Sequence, residues 1–418
     1  MDNAQVVVGT GPVSPEDVLR VARGGYGVRL ADDALAEIAR SRDVIDRLAK
    51  DDRPHYGVST GFGALATTHI PVERRTQLQR SLIRSHAAGS GPEVEREVVR
   101  ALMLLRLSTL ATGRTGVRVG TAQAYAAMLD AGLAPVVHEY GSLGCSGDLA
   151  PLSSIALALM GEGQVHDAAG TLRPAGEALH AHGIEPVELA EKEGLALVNG
   201  TDGMLGMLVL ALADLRRLLT TADVAAAMSV EALLGTDAVF AEDLQALRPH
   251  PGQAASAANL RALLAGSGIM ASHRGPECTR VQDAYSLRCA PQVHGAARDT
   301  AAHAAAVAGR ELASAVDNPV ITLDGRVESN GNFHGAPVGY VLDFLAIVLA
   351  VEILTAARAL DLRAPLEPAR ATGAVRDAVR AAGVGGPGPD RHLAPEIEAV
   401  VRLVDDGTLL TATGIPLG

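Results

Sequence analysis

Six long stretches of this chain place apolar residues on one helical face, and this pattern constrains the fold more than any other feature of the sequence. They are residues 31–50, 93–111, 118–131, 203–219, 296–315 and 338–360. Positions i, i+3, i+4 and i+7 share one side of an α-helix, so each stretch predicts a helix with a buried face. Strand signals are sparse; the clearest is a hairpin over residues 320–328, turning at Asp324-Gly325. The sequence predicts a mainly α fold of long packed helices, Gly-rich loops and a small β-hairpin.

The beginning of the chain imitates a dinucleotide-binding unit. Residues 6–11 read VVVGTG, but Ser14 stands at the third fingerprint position and prolines lie on either side of it. Ser14 followed by Pro15 instead predicts a helix N-terminus, and Gly24-Gly25 ends that helix. A second loose match at residues 61–66 has no strand before it. We expect no nucleotide cofactor.

Charge and cysteine content limit the partners and the compartment. A formal net charge of −12 over 418 residues opposes binding to nucleic acid, which needs clustered Lys and Arg. Cys145, Cys278 and Cys289 are an odd number without metal-ligand spacing, which favours free thiols. The N-terminus lacks signal-peptide segments, and the apolar stretches 204–213 and 344–351 are shorter than the roughly 18 residues of a membrane span. We expect a cytoplasmic protein with no membrane partner and no metal.

One of the Gly-rich loops carries an unusual serine. Residues 144–148 read GCSGD, and a nucleophile elbow would need Gly where Asp148 stands. A phosphate-binding loop would need Lys there. The simplest alternative is a connector into a helix capped by Asp148, with Pro151 in the first turn.

A Ser followed by Gly on a tight loop permits a third chemistry. The Gly147 amide nitrogen can attack the Cys145 carbonyl carbon, and loss of two waters leaves Ser146 as a methylidene on an imidazolone ring. This attack needs the two backbone atoms held about 3–3.5 Å apart, and glycine tolerates the strained dihedrals that it requires. The product would be an electrophile made from the protein itself.

Several blocks of sequence resemble the aromatic amino acid ammonia-lyases, which form a 4-methylideneimidazole-5-one group from such a triplet. Residues 141–152 (GSLGCSGDLAPL) resemble the family signature. The resemblance continues, in the family's order, at residues 56–63 (YGVSTGFG), 199–201 (NGT), 282–289 (QDAYSLRC), 317–319 (DNP) and 331–334 (GNFH). It implies a histidase-like fold, a homotetramer, an amino acid substrate, and a group formed from Cys145, Ser146 and Gly147 in place of metal, pyridoxal phosphate or nucleotide.

The resemblance also implies catalytic roles. Tyr56 is the expected base that removes the substrate's β-proton; a phenol can do this at neutral pH only where positive potential favours its ionised form. Asn199 is expected to hydrogen-bond the ring carbonyl. Tyr285 is expected to orient the electrophile and the substrate.

Binding roles follow from the same resemblance. Arg288 is the expected clamp for the substrate carboxylate, because its planar fork can donate two parallel hydrogen bonds. Gln282 is expected to orient the substrate, and Phe333 to stack near the ring. Ser85-His86 is similar to the selectivity site of histidine-specific members, so we expect L-histidine to be converted to urocanate and ammonia. A tyrosine or phenylalanine lyase, or an aminomutase, is the near alternative.

Roughly 80 to 90 residues of the family pattern are absent between residues 348 and 351. The join lies within one apolar stretch, so we expect a helix to run across it. The missing block normally carries tetramer-core helices, a glutamate near the substrate side chain and a Gln-Glu-Asp-His stretch, so an inert homologue is a further alternative. We expect three regions: 1–200 with the base and prosthetic-group loops, 201–365 with a shortened set of long helices, and 366–418.

Overall fold

The part of the chain that the structure describes is mainly helical. A computed structural model describes residues 4–276, 278, 281–361, 370–387, 393–405 and 408–412. Its α-helices are α1 (Pro15–Ala22), α2 (Asp32–Leu48), α3 (Val72–His86), α4 (Arg96–Ala111), α5 (Val119–Asp130), α6 (Leu149–Leu159), α7 (Ala175–Ala181), α8 (Glu193–Val198), α9 (Asp202–Ala232), α10 (Glu242–Ala246), α11 (Pro251–Leu264), α12 (Gly268–Ser272), α13 (Tyr285–Arg288), α14 (Ala290–Leu312), α15 (Ala336–Asp361), α16 (Arg370–Ala381), α17 (Ala394–Asp405) and α18 (Thr408–Ala412). The predicted mainly α class is confirmed.

The strands are short and form small separate sheets. They are β1 (Gln5–Val8), β2 (Gly27–Leu30), β3 (Ser90–Glu93), β4 (Ala134–Pro135), β5 (His138–Tyr140), β6 (Gln164–His166), β7 (Leu172–Pro174), β8 (Val320–Ile321) and β9 (Val327–Glu328). The pairs are β1 with β2 in parallel, and β3 with β5, β4 with β6, β6 with β7 and β8 with β9 antiparallel. The sheet of β1 and β2 has only these two strands in the described chain. The segment that resembles the start of a dinucleotide-binding unit is therefore not part of a larger parallel sheet there.

Local contacts explain where the predicted elements begin and end. Ser14 Oγ accepts a hydrogen bond from the Asp17 amide at 3.1 Å, and this capping box starts α1 as expected. The helix predicted from residue 93 begins later, at Arg96, because Glu93 pairs with His138 in a sheet. The helix predicted to end at residue 219 continues to Ala232. The hairpin is confirmed with shorter strands, and its turn contains Gly325 at a φ of +82°.

The chain forms two compact units. The first contains Met1–Asp214 and Ala305–Gly339, and the second contains Leu215–Ala304 and Tyr340–Gly418. In the first unit every residue of α4 from Val98 to Ala111 is buried. The second unit holds one apolar cluster around Val230 and Phe240 and another around Val379 and Val400. The predicted three-region division stays a prediction, and its boundary at residue 365 lies outside the described residues.

Among the described residues, one helical stretch has the length and composition of a membrane span. It is Glu193–Ala232, and 78% of its apolar window is buried inside the protein. Such burial is typical of a core helix, as expected for residues 204–213. For the second apolar stretch, 344–351, most side chains lie outside the described residues.

Candidate active site

The loop that carries the Cys145-Ser146-Gly147 tripeptide is a tight turn that only glycine permits. Gly147 has a φ of +92°, and its amide donates to the Gly144 carbonyl at 3.2 Å. A Cβ atom at Gly147 would lie 2.6 Å from the Gly200 carbonyl oxygen, which real structures essentially never show. Gly147 is buried, Ser146 is half-buried and Cys145 is exposed. The fold therefore requires glycine at the position where the proposed cyclisation also requires it.

Asp148 anchors this loop to the start of a different helix. Its Oδ2 accepts hydrogen bonds from the Gly203 and Met204 amides at 2.8 and 3.0 Å, and its Oδ1 accepts from Ser142 Oγ at 2.6 Å. Its side chain therefore caps α9; the expectation that it caps α6, the helix that follows it, is wrong, because its side chain makes no capping bond there. Burial raises the pKa of Asp148, and these hydrogen bonds oppose the rise. Pro151 lies in the first turn of α6, as expected.

A second loop, which contains residues 333–335, contacts the tripeptide although it lies far from it in sequence. The Gly335 amide donates to the Cys145 carbonyl at 3.3 Å, and a Cβ atom at Gly335 would lie 2.2 Å from the Gly144 carbonyl oxygen. Phe333 lies in this loop and is half-buried. The structure thus places Phe333 two residues from the backbone that touches the tripeptide.

Asn199 ends the short helix α8 beside the same loops. Its side-chain Nδ2 donates to the Asn318 carbonyl at 2.8 Å and lies 3.4 Å from Asp317 Oδ1. Its carbonyl accepts from Arg106 Nη1 at 2.6 Å. The contact expected between Asn199 and a ring carbonyl stays a prediction.

The loop that carries Tyr56 packs against the middle of α8. Gly57 has a φ of +71°, and a Cβ atom there would lie 2.4 Å from Leu195 Cδ1. The amides of Val58 and Ser59 donate to the His55 carbonyl and close the turn. Tyr56 is half-buried. The backbone of the predicted base loop is therefore fixed to the helix that ends at Asn199.

His86 is the last residue of α3 and has a defined tautomer. Its Nδ1 lies 2.9 Å from the Leu82 carbonyl oxygen and 3.0 Å from Ser85 Oγ. A carbonyl oxygen only accepts, so in the neutral ring Nδ1 carries the proton and Nε2 is an acceptor. The side chain is half-buried. It can accept a hydrogen bond from a ligand.

Three predicted site residues lie in the second unit. Arg288 Cζ stands 4.6 Å from the centroid of the Tyr285 ring, a cation–π geometry. Arg288 Nε is buried without a hydrogen-bond partner. Gln282 and Tyr285 are exposed, and Tyr285 is 74% exposed. Within this unit the guanidinium lies over the Tyr285 ring, and its planar group carries the paired donors that a carboxylate needs.

Arg106 and Asp202 are buried charged residues that the sequence analysis did not identify. Arg106 is fully buried in α4, and it donates to the carbonyls of Ala196, Asn199 and Val316 at 3.0, 2.6 and 3.0 Å. Its Nη2 also lies 3.0 Å from Asp202 Oδ2, an ion-pair contact without hydrogen-bond geometry. The signal was present, because an arginine inside the apolar run 101–111 (ALMLLRLSTLA) must find buried partners.

The sequence of this chain matches a known protein family and several of its relatives. The family model described as "Aromatic amino acid lyase" matches residues 13–350. The chain belongs to the aromatic amino acid lyase family. The histidine ammonia-lyases of Streptomyces coelicolor and Streptomyces avermitilis are each 53% identical to it, over 97% of this chain and 98% of theirs.

Solved structures of this lyase family are similar to the chain. Tyrosine aminomutase from Streptomyces globisporus has a TM-score of 0.76 at 30% identity, covering 98% of both chains. Histidine ammonia-lyase from Trypanosoma cruzi has a TM-score of 0.73 at 29% identity, covering 98% of this chain and 95% of that one.

The comparison with relatives shows that the chain is shorter than they are by about the predicted number of residues. The alignment with the Streptomyces coelicolor lyase spans 501 positions and this chain has 418 residues, so at least 83 aligned positions have no counterpart here. The expected continuous helix across the join is also observed, since α15 runs from Ala336 to Asp361.

The described residues of this lyase contain no group of three or more His, Cys, Asp or Glu side chains placed to hold a metal. Its three cysteines are free thiols, as predicted.

Asp202 predicts a pH dependence of stability in this lyase. Burial raises the pKa of its carboxyl from 3.8 to about 6, although Arg106 acts against the rise. The unfolded chain releases this proton near the ordinary value, so between about pH 4 and pH 6 the folded chain binds more protons. The raised pKa of Asp202 therefore stabilises the folded chain at low pH, and this stabilisation is lost as the pH rises through this window.

We expect the free energy of unfolding of the native chain, minus that of Asp202→Asn, to fall by roughly 2–3 kcal/mol from about pH 4 to about pH 6. Urea denaturation at a series of pH values measures it. Subtracting the variant removes the contributions of other carboxyls. A difference that is constant across this window would contradict the prediction.

Proposed function

We propose that this chain converts L-histidine to urocanate and ammonia, using an electrophile that it forms from Cys145, Ser146 and Gly147. The observation that carries the proposal is the tripeptide turn. Gly147 is held at a φ of +92°, against Gly200, in a position where a side chain does not fit. The identity of 53% to proteins named histidine ammonia-lyase supports the same conclusion.

The residues around the turn fit a ring formed at this site. The Gly147 and Gly200 backbones approach closely, Gly335 holds the Cys145 carbonyl, and Asp148 is buried behind them. A 4-methylideneimidazole-5-one there would supply an electrophilic carbon that activates the substrate's amine or aromatic ring. The turn, Gly335 and Asp148 would hold it.

The chain's own residues supply proton transfer and substrate binding. We assign Tyr56 as the base that takes the β-proton; the electron pair of that C–H bond forms the Cα=Cβ double bond as the C–N bond breaks. The amine leaves and takes up a proton to become ammonia. Arg288 is assigned to the substrate carboxylate, because its planar guanidinium can donate two parallel hydrogen bonds.

The remaining assignments concern orientation and specificity. Gln282 and Tyr285 orient the substrate and the electrophile, and Phe333 stacks near the ring. Asn199 Nδ2 keeps its bond to the Asn318 carbonyl and turns its other N–H from Asp317 Oδ1, 3.4 Å away, to the ring carbonyl. His86 faces the substrate side chain. Because its Nε2 is an acceptor, it can take the N–H of a neutral substrate imidazole.

We also propose a homotetramer in the cytoplasm, with a free amino acid as substrate and neither nucleic acid nor membrane as partner. The net charge of −12 and the free thiols support this setting. At least 83 aligned positions of the relative have no counterpart here, and by the family resemblance they include a glutamate near the substrate side chain. We therefore expect turnover slower than that of full-length relatives. Sedimentation measures the assembly.

The test combines mass and turnover on the purified full chain. We expect its mass to be lower than the encoded mass by two waters, localised to residues 145–147 by peptide mapping. L-Histidine should yield urocanate, followed by ultraviolet absorbance, with equimolar ammonia, and L-tyrosine and L-phenylalanine should yield much less. A β-amino acid from tyrosine would instead indicate an aminomutase. Ring formation without urocanate would show a folded but inert homologue, and an unmodified tripeptide would overturn the proposal.

A further inference from the structure

A fully buried ion pair lies close to Asn199, and it takes no part in the reaction steps above. Lys192 Nζ lies 2.5 Å from Asp317 Oδ2, and neither side chain is exposed. Lys192 is one of two lysines in the chain and has a left-handed φ of +72° at the N-cap of α8. A buried ion pair is often no more stabilising than apolar side chains of the same volume, so stability alone does not explain it.

The second oxygen of Asp317 faces the predicted catalytic amide. Asp317 Oδ1 accepts from the Asn318 amide at 2.7 Å and lies 3.4 Å from Asn199 Nδ2. Asn199 Nδ2 in turn donates to the Asn318 carbonyl at 2.8 Å. Lys192 holds Oδ2 and the Asn318 amide holds Oδ1, so the carboxylate fixes Asn318, whose carbonyl accepts from Asn199.

The backbone carbonyl of Asp317 and the side chain of Asn318 also bind the loop that touches the tripeptide. The Asn330 amide donates to Asn318 Oδ1 at 3.0 Å, and Asn330 Nδ2 donates to the Asp317 carbonyl at 3.2 Å. A few residues later Gly335 donates to the Cys145 carbonyl. Asp317 thus connects to the tripeptide through Asn199 and its neighbour Gly200, which lies against Gly147, and through residues 330–335.

We infer that Lys192 is a positioning residue that sets the geometry of Asn199 and of loop 330–335 at the tripeptide, acting through Asp317. This inference rests on the proposed function. A displacement of about 1 Å at a reacting centre can lower a rate on the order of 10²-fold, so loss of the ammonium has a large effect without contact with substrate.

Three variants of the full chain test the inference. Lys192→Met leaves Asp317 buried and uncompensated, and it can fail through folding alone. The double variant Lys192→Met with Asp317→Asn removes both charges and keeps an oxygen that can accept from Asn318. The Asn318 amide still selects that oxygen, so the double variant loses only the ammonium contact that fixes the side chain from the other side. Lys50→Met, at the chain's other lysine, is exposed and serves as the matched control.

For each variant we measure the thermal midpoint, the fraction of chains lacking two waters at residues 145–147, and kcat and KM for L-histidine per cyclised chain. In the double variant we expect a native-like midpoint with a lower cyclised fraction or kcat lower on the order of 10²-fold, and KM within a few-fold of native. Lys50→Met should match the native chain throughout.

The double variant could instead have the native thermal midpoint, the native cyclised fraction and the native kcat. That result would show that the ion pair is merely structural and would overturn the inference. A double variant that does not fold would also overturn it, because the pair would then serve folding itself. If the native chain neither cyclises nor forms urocanate, the proposed function fails, and that result is visible before any variant is compared.

Discussion

Ser146→Ala should leave the chain folded and remove its activity. The proposed ring gains its methylidene carbon when the Ser146 hydroxyl leaves as water, and alanine has no leaving group at that carbon. We expect the loss of two waters from residues 145–147 to disappear and kcat for L-histidine to fall by on the order of 10³-fold or more, as when a covalent catalytic group is removed. Intact mass and urocanate absorbance measure the two effects.

The fold should tolerate this change, because Ser146 is half-buried and, among the described residues, its Oγ makes only a long contact, 3.7 Å, with Cys145 Sγ. Ser154→Ala is the matched control: Ser154 is also half-buried, and its Oγ bonds the Ala150 carbonyl within α6. That variant should keep the native mass loss and turnover. Native urocanate formation by Ser146→Ala would rule out the proposed electrophile.

Sequence pattern predicted the parts of this fold that depend on neighbours along the chain. The Ser14 capping box, the Asp324-Gly325 turn and Pro151 in the first turn of α6 each involve residues only a few positions apart. Apolar periodicity likewise located the long helices, because a buried face leaves a regular spacing. The family resemblance extended this to the loops that contain the candidate site residues.

The contacts between those loops could not be predicted, because they join residues far apart in sequence. Asp148 stands where a cap for α6 is expected, yet its carboxylate binds the amides that begin α9. Lys192 finds its partner at Asp317, more than a hundred positions away. A single sequence shows that such buried charges need partners, but it does not name them.

Arg106→Met should produce the largest loss of stability among single substitutions in the first unit. The change leaves three backbone carbonyls, the buried ones of Ala196 and Val316 and the part-buried one of Asn199, without the donor that they now share. It also leaves the Asp202 carboxylate buried without its cation. Removing one partner of a buried pair costs roughly 3–5 kcal/mol. We expect the free energy of unfolding at neutral pH, from urea denaturation, to fall by about that amount.

Arg326→Met is the surface control. Arg326 forms ion pairs with Asp324 and Glu328 in the hairpin, and its side chain is 61% exposed. Exposed ion pairs contribute little, so the urea midpoint of the Arg326→Met variant should stay at the native value.

The pH dependence of the Arg106→Met defect separates its two causes. The unpaired carbonyls lower the free energy of unfolding by the same amount at every pH. An uncompensated Asp202 carboxylate lowers it only while it is ionised, because taking up a proton removes the charge. Without Arg106, which now lowers the pKa of Asp202, that pKa rises above its native value of about 6. The defect should therefore grow as the pH increases from about 5 to about 8, and adding Asp202→Asn should remove this growth while leaving the part due to the carbonyls. A defect that is equally large at both ends of this range would mean that the carbonyls alone account for it and that the contact between Arg106 and Asp202 contributes nothing.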